Sequence, residues 1–135
     1  MAVVSEVMSK RPVSVPPSAP ILKVAQRMRD CGTGIVPVCE NGRYRGIVTD
    51  RDIITHVVAA SQNPEKEQAK DLMKRDGPIV SPGQHLEEAA RIMARNGVQA
   101  LPVARNGKLV GLFTLDDLAR ESLALAAMVL FKTTG

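Results

Sequence analysis

Residues 46–53 read Gly-Ile-Val-Thr-Asp-Arg-Asp-Ile, and residues 111–118 read Gly-Leu-Phe-Thr-Leu-Asp-Asp-Leu. Each stretch is an apolar run that opens on glycine and closes on a Thr-x-x-Asp box with an apolar residue after it. Taken alone, the box predicts a helix start. The hydroxyl accepts an orphan N–H of the first turn, and the acid reaches back to the threonine's own N–H. An acid in that turn also suits the helix dipole. The same geometry suits a second task. A helix start at a strand end offers free N–H groups to a phosphate. An ionised aspartate one turn along accepts both hydroxyls of a ribose diol.

The 65-residue offset between the two boxes runs through the chain without a gap. Val7-Met8 falls on Leu72-Met73, Ala25 on Ala90, Met28 on Met93, Pro37-Val38 on Pro102-Val103, and Asn41-Gly42 on Asn106-Gly107. Self-similarity at a fixed period marks a duplicated unit. The expected organisation is a first copy at 1–60, a polar joint SQNPEKEQ at 61–68, a second copy at 69–122, and an apolar C-terminal tail at 123–135.

Within each copy the pattern predicts the elements in order. A short turn or helix surrounds Met8 or Met73, and an extended piece follows, PVSV (12–15) or PIVS (78–81). Apolar Ile21, Val24, Ala25 and Met28, matched by Leu86, Ala89, Ala90 and Met93, sit at i, i+3, i+4 and i+7 and predict a helix. Gly32 and Gly97 are placed to end those helices. Two strands then flank Asn-Gly, a dipeptide that accepts the positive φ of a tight hairpin turn. A second helix opens at Thr49 or Thr114, with Ile53, Ile54, Val57 and Val58 as its apolar residues in the first copy. The fold class is α/β: two tandem β-α-β-β-α units. One unit leaves its sheet face and helix stripes exposed, so the expectation is that two pack about a pseudo-twofold axis.

Composition removes several function classes. Half of the 18 Lys/Arg and half of the 14 Asp/Glu fall in each of residues 1–68 and 69–135, so the net charge of +4 forms no basic stripe. Aromatic residues are 2% of the chain. Base-stacking platforms for single-stranded nucleic acid are therefore nearly missing, and nucleic-acid binding is disfavoured. Cys31 and Cys39 follow no ligand spacing and read as buried thiols, while His56 and His85 read as isolated surface or packing residues, so no metal site is expected. Lys10, Arg11, Lys74 and Arg75 read as solvated charge, with phosphate contact the alternative. No nucleophile–base pair is found, and no catalytic residue is assigned. MAVVSEVMSKR has no signal-like apolar core, and LALAAMVLF (123–131) is far short of the ~20 residues of a membrane span. A cytoplasmic protein without membrane contact is expected.

The repeat, the element order, the Pro-Val strands, the Asn-Gly turns and the two closing boxes together resemble a cystathionine-β-synthase (CBS) domain pair, or Bateman module, from about Ser5 to Leu118. The resemblance implies a non-enzymatic regulatory sensor. Its ligand would be an adenosine compound (AMP, ADP, ATP or S-adenosylmethionine) held in the clefts between copies, with no catalytic cofactor. Carried over by position, Asp52 and Asp117 would take ribose, and Thr49 and Thr114 would approach phosphate or sugar. Ile47 and Leu112 would line the base pockets. Pro78-Ile79 would close the Asp52 site and Pro12-Val13 the Asp117 site. The copies differ inside the box. Arg51 beside the first phosphate seat would favour a polyphosphate, with a solvated surface residue the alternative, and Asp116 at the same place in the second would disfavour one. The resemblance also implies a homodimer made through helices, with the apolar tail at the contact, and a separate effector polypeptide that reads the ligand. The alternatives are a dimerisation or interaction module whose boxes only cap helices and, behind it, a nucleic-acid-binding protein.

Overall fold

The computed structural model describes residues 2–134, with side chains as far as Lys132; Met1 and Gly135, the outer ends of the expected first copy and tail, lie outside the described residues. The elements run α1 (Val4–Val7), α2 (Ile21–Cys31), β1 (Ile35–Glu40), β2 (Arg43–Thr49) and α3 (Asp50–Ile53), which passes into a π-helical stretch (Ile54–Val58). Then come α4 (Ala69–Leu72), α5 (Leu86–Asn96), β3 (Ala100–Arg105), β4 (Lys108–Thr114), α6 (Leu115–Glu121) and α7 (Leu123–Thr134). The chain divides into two compact units. One is Val13–Gly77; the other joins the segment ending at Pro12 to the chain from Pro78 onward. The spatial units are thus cut about a dozen residues away from the sequence repeat.

In the unit Val13–Gly77, Ile21, Val24 and Met28 of α2 pack with Val36 and Val38 of β1, Val48 of β2, Ile53 and Val57. Aliphatic side chains, mostly Val and Ile with Met28 and two alanines, make this core; the unit's one aromatic residue, Tyr44, stays outside it. α2 ends at Gly32, whose φ of 64° is left-handed and whose N–H returns to Met28 O. Its start has no side-chain cap. Instead the carbonyls of Glu67 (2.8 Å) and Pro64 (2.9 Å) accept the N–H groups of Ile21 and Leu22. The polar joint is therefore more than a spacer, because it satisfies a helix end. β1 and β2 form an antiparallel hairpin turned at Asn41-Gly42, with φ of 56° and 81°.

The second unit repeats the plan. Leu86, Ala89, Ala90 and Met93 of α5 pack with Val80, Leu101, Val103, Phe113 and Leu118, and Val4 of α1 joins this core. α5 ends at Gly97 with φ 65°, and Leu86 N–H finds Ala2 O at 3.3 Å. β3 and β4 turn at Asn106-Gly107, φ 52° and 79°. α7 lies on this core through buried Ala126 and Val129, and leaves Leu123 and Phe131 on its outer side, 77% and 76% exposed. The expected partner-covered helix is thus covered on one side by its own unit.

Three expectations need correction. The opening strands are not strands but single parallel bridges, Val15 to Val38 and Val80 to Val103. Pro12, Pro16 and Pro17, and likewise Pro78 and Pro82, supply no N–H, so neither ladder extends. Ile54 and Val58 are 58% and 68% exposed, because after Ile53 the chain winds in π turns and only Val57 stays inward. Cys31 is an exposed thiol, since it stands on the last residue of α2 beyond the packed stripe, and Cys39 is half-buried.

Candidate functional site

Both boxes form where strand hands over to helix. In the first, Thr49 Oγ1 accepts the Asp52 N–H at 3.2 Å, and Asp52 Oδ2 accepts the Thr49 N–H at 3.0 Å. In the second, the same two bonds join Thr114 and Asp117 at 3.2 and 2.9 Å. The two carboxylates are nearly withdrawn from solvent, Asp52 at 7% and Asp117 at 8% exposure, and they are the buried charged residues among those described. Each acid thus folds one oxygen back onto its own cap, as the helix-start reading requires.

The second oxygens separate the copies. Asp117 Oδ1 accepts from Arg120 Nη1 at 3.0 Å, an ion pair one turn along α6. The residue equivalent to Arg120 is Thr55, whose hydroxyl donates to Arg51 O at 2.9 Å. Asp52 Oδ1 accepts no hydrogen bond among the described residues. A carboxylate oxygen that no protein donor engages can accept a sugar hydroxyl, because an ionised carboxylate offers acceptor sites on both oxygens.

The glycines that open each stretch have a reason the repeat alone does not reveal. Ile47 exchanges two backbone bonds with Lys74 (3.0 and 2.9 Å), and Leu112 does the same with Ser9 (2.9 and 3.0 Å). A Cβ on Gly46 would stand 2.7 Å from Lys74 O, and one on Gly111 would stand 2.9 Å from Ser9 O and collide with Met8 Sδ. Glycine is needed there for close backbone approach. The approach pins Ile47 and Leu112, both 9% exposed, two residues before the box threonines. It also sets exposed Lys74 beside Ile47 and uncharged Ser9 beside Leu112. At the same box Asp50 Oδ1 accepts the Arg51 N–H at 2.8 Å, and its carboxylate fills the space that a Cβ on Gly34 would take.

Thr49 and Thr114 are half-buried and Arg51 is exposed. Pro12, Val13 and Pro78 are half-buried, and Ile79 is 48% exposed. The structure brings each threonine together with its aspartate; the assignment of Pro78, Ile79, Pro12 and Val13 to base pockets rests on the resemblance alone. Arg120 and Ser9 escape sequence reasoning about the boxes, whereas Lys74 reads there as solvated charge with phosphate contact the alternative. Arg120 differs between copies and so carries no repeat signal, and Lys74 and Ser9 meet Ile47 and Leu112 only through the fold. Among the described residues no group of three His, Cys, Asp or Glu could hold a metal ion, and no helix is long and apolar enough to cross a membrane.

This architecture has known relatives. The CBS domain family model matches residues 4–59 and 69–124. The CBS domain-containing protein YhcV of Bacillus subtilis is 30% identical over 124 residues, which covers 92% of this chain and 88% of that protein. The crystal structure of Hypoxic Response Protein I with two coordinated zinc ions superposes with a TM-score of 0.81 at 28% identity, covering 90% of this chain and all of that one. CBSX2 in complex with AMP gives a TM-score of 0.80 at 23% identity, covering 93% and 98%. The chain spans 65% of the length of its 31%-identical relative from Methanopyrus kandleri.

Two copies of one α/β unit, each closed by a Thr-x-x-Asp box, define a tandem-repeat protein. The chain belongs to the CBS domain family and carries two such domains.

Proposed function

We propose that this protein is a regulatory CBS pair that binds an adenosine nucleotide, with ribose on Asp52 and phosphate toward Thr49, Arg51 and the α3 start. The observation that carries this reading is the free Oδ1 of a carboxylate only 7% exposed. Two cations support a charged ligand there, Arg51 in the box and Lys74 bonded by its backbone to Ile47. The second box has Leu115, Asp116 and Ser9 at the equivalent places, so it suits a less anionic ligand such as adenosine or S-adenosylmethionine. The AMP held by CBSX2 supports the ligand class. Binding orders the residues around the box, and a separate effector protein reads that change. The protein acts as a homodimer in the cytoplasm and catalyses no reaction.

Thermal-shift screening with AMP, ADP, ATP, S-adenosylmethionine and an oligonucleotide tests the proposal. A true ligand at ~100 times its Kd stabilises by about 2.7 kcal/mol. The expected result is a rise with the adenine nucleotides and none with the oligonucleotide.

A second reading has an observation of its own. Both acids do cap their helices, and α7 shows Leu123 and Phe131 to solvent. A module that only dimerises would need nothing more. No response to any nucleotide in the screen would favour it.

A further inference from the structure

We infer that Arg120 is an internal competitor for the second box, so that a nucleoside binds there only when it displaces the guanidinium from Asp117. The inference rests on the ligand reading proposed above and adds its regulation. Asp117 is 8% exposed and has both oxygens engaged, Oδ2 by the Thr114 N–H at 2.9 Å and Oδ1 by Arg120 Nη1 at 3.0 Å. A ribose diol arriving at Asp117 meets a carboxylate whose Oδ1 already holds a guanidinium. At the first box Thr55 stands where Arg120 would, and its hydroxyl is turned to backbone carbonyls, at 2.9 Å for Arg51 and 3.4 Å for Asp52. The same cap therefore presents one open acid and one latched acid.

The latch can open. The Arg120 side chain is 73% exposed, against 10% for that of Asp117. The guanidinium can swing into water and be hydrated, whereas the carboxylate cannot follow it. Losing the charge-assisted bond then leaves Asp117 for a sugar hydroxyl to satisfy. Because one partner is exposed, the pair is weak enough to be displaced and is screened by salt. The second box is thus held back at low ionic strength and released as salt rises. A phosphate contact would respond in the opposite direction.

Adenosine is the probe, because it carries the ribose diol without a phosphate. In an Asp52→Ala background, which leaves only the second box, calorimetry should show adenosine binding tightened about two- to fivefold by Arg120→Ala, the effect of one exposed ion pair. Arg120→Gln, which keeps a polar side chain but is shorter and uncharged, should do the same. With Arg120 present, raising salt should tighten adenosine, and without it salt should have little effect. Conversely, Thr55→Arg in the otherwise native chain should loosen the first box by a similar factor. Unchanged adenosine affinity in both Arg120 variants, while AMP still binds the native chain through Asp52, overturns the latch and spares the site. No nucleoside or nucleotide binding by any form overturns both.

Discussion

At the scale of single residues, Asp52 Oδ2 closes the helix cap, and Oδ1 is proposed to take the sugar of a ligand. The Thr-x-x-Asp pairs were legible in the sequence because their spacing is local, and a local bond forms wherever the helix does. The ion pair of Arg120 was not, since an exposed arginine one turn along α6 has no pattern to distinguish it from solvated charge. Tyr44 is a second case. It lies opposite Cys39 in the first hairpin, and its buried Oη has no hydrogen-bond partner among the described residues. Burial, then the Cys39 sulfur, push its hydroxyl up to about 12 from an ordinary 10.0. A phenol held neutral by the fold contributes stability that is intact below pH ~10 and is lost as pH rises toward ~12. Chemical denaturation of native and Tyr44→Phe protein across that range should show a loss specific to the native chain. At neutral pH the variant should be as stable or slightly more so, because it removes an unsatisfied polar atom.

At the scale of elements, the helices α2 and α5 and both hairpins were readable, as their apolar periods, αL glycines and Asn-Gly turns are written in short windows. The opening strands were over-read. An apolar stretch between prolines looks like a strand, yet without N–H groups it makes one bridge. The π-helical turns after Ile53 had no sequence mark. Gly46 and Gly111 were visible as repeated glycines, but their reason is a backbone neighbour more than 25 residues away in sequence. Gly46→Ala should therefore force Lys74 O, 2.7 Å from the new Cβ, away from Ile47. A cost of about 1–3 kcal/mol is expected, measured as a fall in denaturation midpoint. An unchanged midpoint would mean that the approach is not tight.

At the scale of the whole molecule, the repeat identified two copies but not how the chain is shared between units. α1 belongs by sequence to the first copy, yet Val4 packs in the core of the second unit, and Ser9 bridges Leu112. Equivalent segments α1 and α4 carry the same pattern, so periodicity alone does not choose between them. α7 shows a similar division. Its inner residues Ala126 and Val129 seal one core, and the outer Leu123 and Phe131 are available for a second copy of the chain. Light scattering should give a dimer at micromolar concentration. Phe131→Glu should yield a monomer with little loss of unit stability, since Phe131 is 76% exposed. A native monomer, or a dimer unaffected by the substitution, would move the contact elsewhere.

The central claim is that a half-engaged, buried Asp52 holds the ligand's sugar. Calorimetric titration of AMP into native, Asp52→Ala and Asp117→Ala proteins, each first shown to be folded, tests it most directly. Charge-assisted bonds contribute about 1.5–3 kcal/mol each, so Asp52→Ala should weaken AMP by about tenfold or more while Asp117→Ala leaves it near native. Equal loss in the two variants, or no heat from the native protein, would contradict the account.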